Sequence, residues 1–255
     1  MITLGPETLA LLAGAAFVAG FIDSIAGGGG LITLPALLLA GANPIEALAT
    51  NKIQGLFGAG SAAISYSRAG LVDLRGQLPS AGMAFGASLA GAALISHVPT
   101  DALRMVLPIL LVAIALFFAL KPGLSDQDRT RKIGPLAFGL GVVPIVAAYD
   151  GLVGPGAGAF YMLAFVMLAG QGLLRATAHT KFLNFSSNVG GLLAFAMFAN
   201  PLWGVGLIMG LAQVAGAQFG SRVAMRIGAR VIRPLLVTTS VTLAAKLLYD
   251  ALSAS

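Results

Sequence analysis

The sequence predicts an all-α, polytopic membrane protein built from two inverted repeats, with eight to ten helical segments and a short, broken helix in each half. Three observations predict it: the composition, a glycine-rich interruption that occurs twice, and the placement of the basic residues. Of 255 residues 58% are apolar and only 9% are charged, with a mean hydropathy of +0.93. Soluble domains carry about 25% charged residues, so a soluble fold is excluded. The net charge of +6 does not indicate a nucleic-acid partner, because the basic residues fall in short loops between apolar segments. There is no cysteine, which removes disulfides, thiolate metal sites and Cys nucleophiles. No Lys or Arg precedes Lys52, so the basic start of a signal peptide is missing and the first helix is expected to be retained.

Taken in order, the first apolar stretch, 9–22, runs into Asp23-Ser24-Ile25-Ala26-Gly27-Gly28-Gly29-Gly30. Glycine costs roughly 1 kcal/mol against Ala in a helix, so four in a row interrupt it. The segment 31–40 follows; ten residues give about 15 Å of helix, half a bilayer. Asn43-Pro44-Ile45-Glu46 reads as a helix start, with Asn as N-cap, Pro at the first position and Glu at N3. That helix is expected to end near Tyr66, and Leu78–Ile95 and 103–120 complete the first half. The polar run 125–132 is the linker between a first repeat at 1–124 and a second at 133–255. The second half gives 135–148, 159–169, Leu173–Phe198, 202–224 and 232–252.

The halves superimpose at a nearly constant offset. Asp23 pairs with Asp150, and Gly27 and Gly29 with Gly154 and Gly156, at a separation of 127. After a two-residue insertion the separation is 129, pairing Lys52 with Lys181, Gly91 with Gly220 and Arg104 with Arg233. Alternate loops place Arg68, Arg75, Lys121, Arg129, Arg131, Lys132, Arg175, Arg222, Arg226, Arg230 and Arg233 on one side and only Arg104 near the other. By the positive-inside rule the crowded side is cytoplasmic and the protein is a multi-pass inner-membrane protein. An odd number of segments per half then inverts the second repeat. If the short glycine-flanked pieces fold back without crossing, eight full spans remain.

The candidate site follows from chemistry. A broken helix is tolerated in a membrane only where protein or a water-filled cavity satisfies the freed backbone. The new helix beyond it presents N–H donors and about half a positive charge, which suits an anion. Gly27, Gly28, Gly29 and Gly30, with Gly154, Gly156 and Gly158, are therefore the expected backbone donors; close helix packing is the plainer role for such small residues. Lys52 lies about 12 Å along its helix from Pro44, and an ammonium at that depth marks a pathway or a structural ion pair. Lys181 is its repeat partner. Asp23 and Asp150 counter the lysines, exchange protons or cap the short helices. His179 is a candidate coupling residue or a packed histidine. Asn51, Thr180 and Asn184, with Gln54, Ser187 and Asn188, line a cavity or bond between helices. Lys246 and Trp203 read as interfacial. There is no HExxH, GxSxG or Walker A motif, and His97 and His179 are expected at different membrane levels, so neither catalysis nor a metal or other cofactor is expected.

Phe21-Ile22-Asp23-Ser24-Ile25-Ala26-Gly27-Gly28-Gly29-Gly30, Pro35 and Ala47-Leu48-Ala49-Thr50-Asn51-Lys52 resemble the TauE/SafE family of sulfite and organosulfonate permeases. Tyr149-Asp150-Gly151, Gly154-Pro155-Gly156, Ala178-His179-Thr180-Lys181-Phe182-Leu183-Asn184 and Ser187-Asn188 match its second-half pattern, although Pro155 and Ala157 replace two first-half glycines. The resemblance implies a secondary transporter of small anions, sulfite and sulfoacetate-like sulfonates being the substrate types of that family. Its partners would be the anion, the lipid bilayer and a coupling ion, proton or sodium. The alternatives are a passive anion channel and, from another class, a membrane-embedded enzyme or sensor subunit. The sequence leaves the oligomeric state open, a homodimer included.

Overall fold

The computed structural model describes residues 5–95, 97–103, 106–107, 109, 112–113, 127–128 and 130–228. The expected segment 232–252 and most of 104–120, with Arg104, Arg233 and Lys246, lie outside the described residues. Among those described there are helices and no strand. They are α1 (Pro6–Ala26), α2 (Gly30–Leu39), α3 (Pro44–Arg68), α4 (Leu78–Ile95), α5 (Pro135–Leu152), α6 (Ala157–Met167), α7 (Leu173–Phe198) and α8 (Trp203–Ile227).

Local chemistry sets these boundaries. Proline occupies the start of α1, α3 and α5, where its missing N–H has no intrahelical acceptor to lose. The capping box of α3 is complete: Glu46 N–H donates to Asn43 Oδ1 at 2.9 Å and Asn43 N–H to Glu46 Oε2 at 3.2 Å. A π-helical turn, Phe138–Val142, ends two residues before Pro144 in α5. Two expected ends are corrected. The helices of 9–22 and 135–148 run on through Asp23 and Asp150 to Ala26 and Leu152, so each carboxylate sits in a last helical turn instead of the loop beyond it.

Contacts between helices reveal their directions. Gly206 faces Ile53 and Gly210 faces Phe57, while Gln218 donates to Ser61 (2.8 Å) and Ser221 to Ser65 (2.9 Å), so α3 and α8 are parallel. Gly216 against Phe17 and Gly220 against Phe21 make α1 parallel to α8. Gln77 donates to the His179 carbonyl (3.3 Å) and Ser88 to the Ser187 carbonyl (2.6 Å), so α4 runs with α7. Gly139 by Ser80 and Gly151 by Ser88 align α5 with α4. Gly191 by Lys52, Gly55 by Asn188 and Gly60 by Phe185 make α3 and α7 antiparallel. Helices α1, α3 and α8 therefore run one way, and α4, α5 and α7 the other.

Each element of the first half points opposite to its counterpart in the second: α1 to α5, α3 to α7, α4 to α8. The packing respects the exchange too, since α1 packs on α8 as α5 does on α4, and α3 packs on α8 as α7 does on α4. Even single contacts repeat: Gly91 sits on Ala148 and Gly220 on Phe21, two pairs related by the sequence offsets. Because α1 and α3 run in the same direction, the 10-residue α2 between them must return towards the end from which α1 came. The 11-residue α6 does the same between α5 and α7. Both short pieces fold back inside the bundle; neither spans it.

Helices α1, α4 and α5 are apolar and long enough, at 21, 18 and 18 residues, to cross a bilayer. Leu11, Leu94, Leu136, Ile145 and Leu211 are exposed on the outer surface, as lipid-facing residues must be. Helix directions gather Arg68, Arg75, Arg131, Lys132, Arg175, Arg222 and Arg226 at one end, while Glu7, Glu46 and Trp203 lie at the other.

Candidate functional site

Where the two breaks meet, backbone touches backbone. Gly27 has φ of +80° and Gly154 +97°, a region an L side chain enters only with strain. A β-carbon on Gly27 would overlap Gly158 and Ala159 of the other repeat. Gly30 in turn lies against Pro155 and Asn51. The N-termini of α2 and α6 thus converge at the middle of the molecule. Among the described residues, the N–H groups of Gly28, Gly156 and Gly158 find no acceptor, which leaves them available to a ligand.

Among the described residues the four buried charges form two pairs, crossed between the repeats. Lys52 of α3 binds Asp150 of α5 (2.6 Å), and Lys181 of α7 binds Asp23 of α1 (2.9 Å). Both lysines are 0% exposed; Asp23 is 8% and Asp150 2% exposed. Each ammonium donates as well to the main-chain carbonyl of its aspartate. That carbonyl belongs to the last turn of a broken helix, where the dipole is negative and a cation is favoured. The lysines therefore cap the C-termini of α1 and α5, and with the aspartates the cluster sums to zero charge. The positive ends of α2 and α6, about half a charge each, also face this cluster, and the Asp23 carboxylate accepts from the Gly29 N–H at the first of them (3.1 Å).

A cavity of about 30 Å³ opens at this convergence, lined by Gly28, Gly29, Gly30, Gly154, Gly156 and Gly158 together with the Asp23 and Asp150 carboxylates. Asn51, Gln54, Gly55, Asn184, Asn188 and Gln213 complete the wall. The space holds two or three water-sized groups, the scale of a small ion. One side carries a linked polar set: Thr33 donates to Asn51 Oδ1 (2.7 Å) and Gln54 Nε2 donates to both Thr33 Oγ1 and Asn51 Oδ1 (2.6 Å each). On the other, Asn184 (3.0 Å) and Ser187 donate to Asp150 Oδ2.

The expected residues fall into three groups. Glycines 28, 29, 30, 154, 156 and 158, with Asn51, Asn184, Asp23 and Asp150, line the cavity. Gly27, Lys52 and Lys181 stand behind it, the first in the backbone contact and the lysines bound to carboxylates. Thr180 is buried with its hydroxyl unbonded among the described residues, and it does not line this cavity. His179 is elsewhere: with Arg131, Gln77 and Phe165 it lines a separate cavity of about 160 Å³ at the basic end. Its ring centroid is 5.5 Å from that of Phe165. Gly55 and Gln213 were not expected. The signal for Gln213 is a single carboxamide in an otherwise small and apolar run, Gly210–Gly216; its side chain passes between Gly20 and Gly58, whose missing side chains make the room.

Comparison with known proteins agrees with this architecture. The family described as "Sulfite exporter TauE/SafE" matches residues 12–247. A probable membrane transporter protein, ORF9, of Sinorhizobium sp is 57% identical over 242 residues, covering 95% of this chain and 93% of the relative. The probable membrane transporter protein YfcA of Escherichia coli K12 is 47% identical over 247 residues, with coverage of 97% and 92%. A third, from Haemophilus influenzae, is 42% identical with 97% coverage of both chains. No solved structure matches. Fold and comparisons together make this chain a multi-pass membrane transporter, a member of the TauE/SafE family.

Proposed function

We propose that the protein is a secondary-active transporter of small sulfur oxyanions, sulfite or organosulfonates, working by alternating access and without chemical conversion of its cargo. One observation carries the reading: two fold-back helices, α2 and α6, aim their N-termini from opposite repeats into one small cavity whose lysines are already neutralised. A tetrahedral or pyramidal oxyanion matches that array, because its oxygens accept from several N–H groups at once and its charge meets two positive helix ends. The family description supports the sulfur-containing class. Opposed repeats around a central site suit rocking of one half against the other. The collected basic end is the cytoplasmic face of the inner membrane in this reading.

Thermal stabilisation of the purified protein across sulfite, methanesulfonate, sulfoacetate, sulfate and small carboxylates tests it. Sulfur oxyanions should raise the melting temperature and carboxylates should not. Stabilisation by carboxylates alone, or by none of the panel, would overturn the assignment.

A further inference from the structure

We propose that Asp23, and not its repeat counterpart Asp150, takes up a proton as the anion binds, so that the coupling ion is a proton and Lys181 becomes the free charge of the loaded site. This rests on the transport reading above and names its coupling residue. The two carboxylates occupy equivalent places yet have unequal surroundings. Asp150 accepts from Lys52 on Oδ1 (2.6 Å) and from Asn184 (3.0 Å) and Ser187 on Oδ2. Among the described residues, Asp23 accepts only from Lys181 on Oδ2 (2.9 Å) and from the Gly29 N–H on Oδ1 (3.1 Å). Subtracting the offset of 129 shows why: Asn184 and Ser187 correspond to Gly55 and Gly58, which carry no donor.

The difference decides where a proton goes. Donors to the charged form hold a carboxylate ionised. A proton on Asp150 would face an ammonium, which cannot accept, and a carboxamide N–H and a hydroxyl, each of which would have to give up its present bond and turn to do so. Asp23 has lone pairs to spare, is the more exposed of the two, and its Oδ1 lies 3.6 Å from where a side chain on Gly158 would project. The groups facing Asp23 leave it that role. Helix α7 offers Lys181 and α5 offers Asp150 across the cavity. Helix α3 offers Lys52, bound to Asp150, and Tyr66, whose hydroxyl donates to the Ser24 carbonyl at 2.7 Å. Helix α8 offers the neutral Gln213, α6 offers Tyr161, turned towards the Val143 carbonyl, and α2 has no titratable side chain.

The step balances simply. A proton adds to a lone pair of the Asp23 carboxylate, no covalent bond breaks, and the ion pair to Lys181 gives way. Lys181 keeps the Asp23 carbonyl and gains the anion. The cluster passes from zero to one positive charge and returns to zero when a monoanion arrives, so the loaded site moves without net charge through the membrane. The Lys52–Asp150 pair stays closed as the clamp between repeats.

Methanesulfonate is a suitable probe because its own charge does not change with pH. Its affinity for the wild type should fall about tenfold per pH unit on the alkaline side, as linkage of one proton requires. Asp23→Asn should hold the affinity flat with pH, and wild-type binding in weak buffer should take up one proton per anion. A pH-dependent slope retained in Asp23→Asn, or a flat wild type with no proton uptake, would overturn the proposal while leaving anion binding intact. If Asp23→Asn does not fold, the double variant Lys52→Gln with Asp150→Asn, which removes the other pair whole, decides: proton uptake kept there supports Asp23, and its loss would overturn the proposal. No binding of methanesulfonate or sulfite at any pH would instead sink the transport reading, and this proposal with it.

Discussion

A buried ammonium is tolerated only in company, and here its company comes from the other repeat. Sequence reasoning singled out Lys52, Lys181, Asp23 and Asp150 from their scarcity and their shared offset, but equivalence within a repeat does not reveal who binds whom. Partners are set by how the halves interlock, which leaves no trace in local pattern. The crossing has a sharp consequence. Lys52→Gln strands the Asp150 carboxylate and should cost about 3–5 kcal/mol. Adding Asp150→Asn should restore most of the loss, whereas adding Asp23→Asn should deepen it by breaking the second pair. Melting curves of the three variants in detergent check this, and rescue by Asp23→Asn would refute the crossed arrangement. Glycines divide in the same way. Gly27→Ala meets both a positive φ, worth about 1–3 kcal/mol of strain, and the backbone of Gly158 and Ala159, so it should unfold the site. Gly158→Ala has only ordinary contacts at 3.4 Å and beyond and puts its methyl beside Asn184 and Asp23. It should keep the melting temperature and lose about tenfold or more in anion affinity; unchanged affinity would reduce these glycines to packing.

Elements were the most legible level, because caps, prolines and glycine runs act over a few residues. Leu173–Phe198 and the Asn43 start of α3 were expected as found. The ends of α1 and α5 were misjudged by four residues each. Asp23 and Asp150 look like loop residues next to glycine, yet a lysine from across the molecule caps the last turn and lets it form. The fold-back of α2 and α6 was read only as an option, since ten or eleven apolar residues fit either a half-span or a strained crossing. Asn43→Ala should cost about 1 kcal/mol, seen as a lower melting temperature without a change in affinity. A change in affinity would mean that the start of α3 moves the site.

The whole molecule is two opposed repeats locked by their own charges, with the cavity at the seam. Its pseudo-symmetry was legible from the offsets, and the departure from symmetry was not. Gln213, Gln54 and Thr33 have no polar counterparts at equivalent positions, and the cavity wall is consequently more amide-rich on one side. The native chain has no cysteine, so single cysteines report topology cleanly. Those at Gln127 and Arg226 should react with an impermeant maleimide only from the basic side, and one at Thr100 only from the other. Labelling of Thr100 and Arg226 from the same side would contradict the inversion.

Transport itself is best tested in proteoliposomes loaded with the purified chain, by following labelled sulfite under an imposed proton gradient. Sulfite should accumulate above the external concentration, and collapsing the gradient or Gly158→Ala should abolish this. Flux that only equilibrates sulfite, or uptake indifferent to the Gly158 methyl, would contradict it.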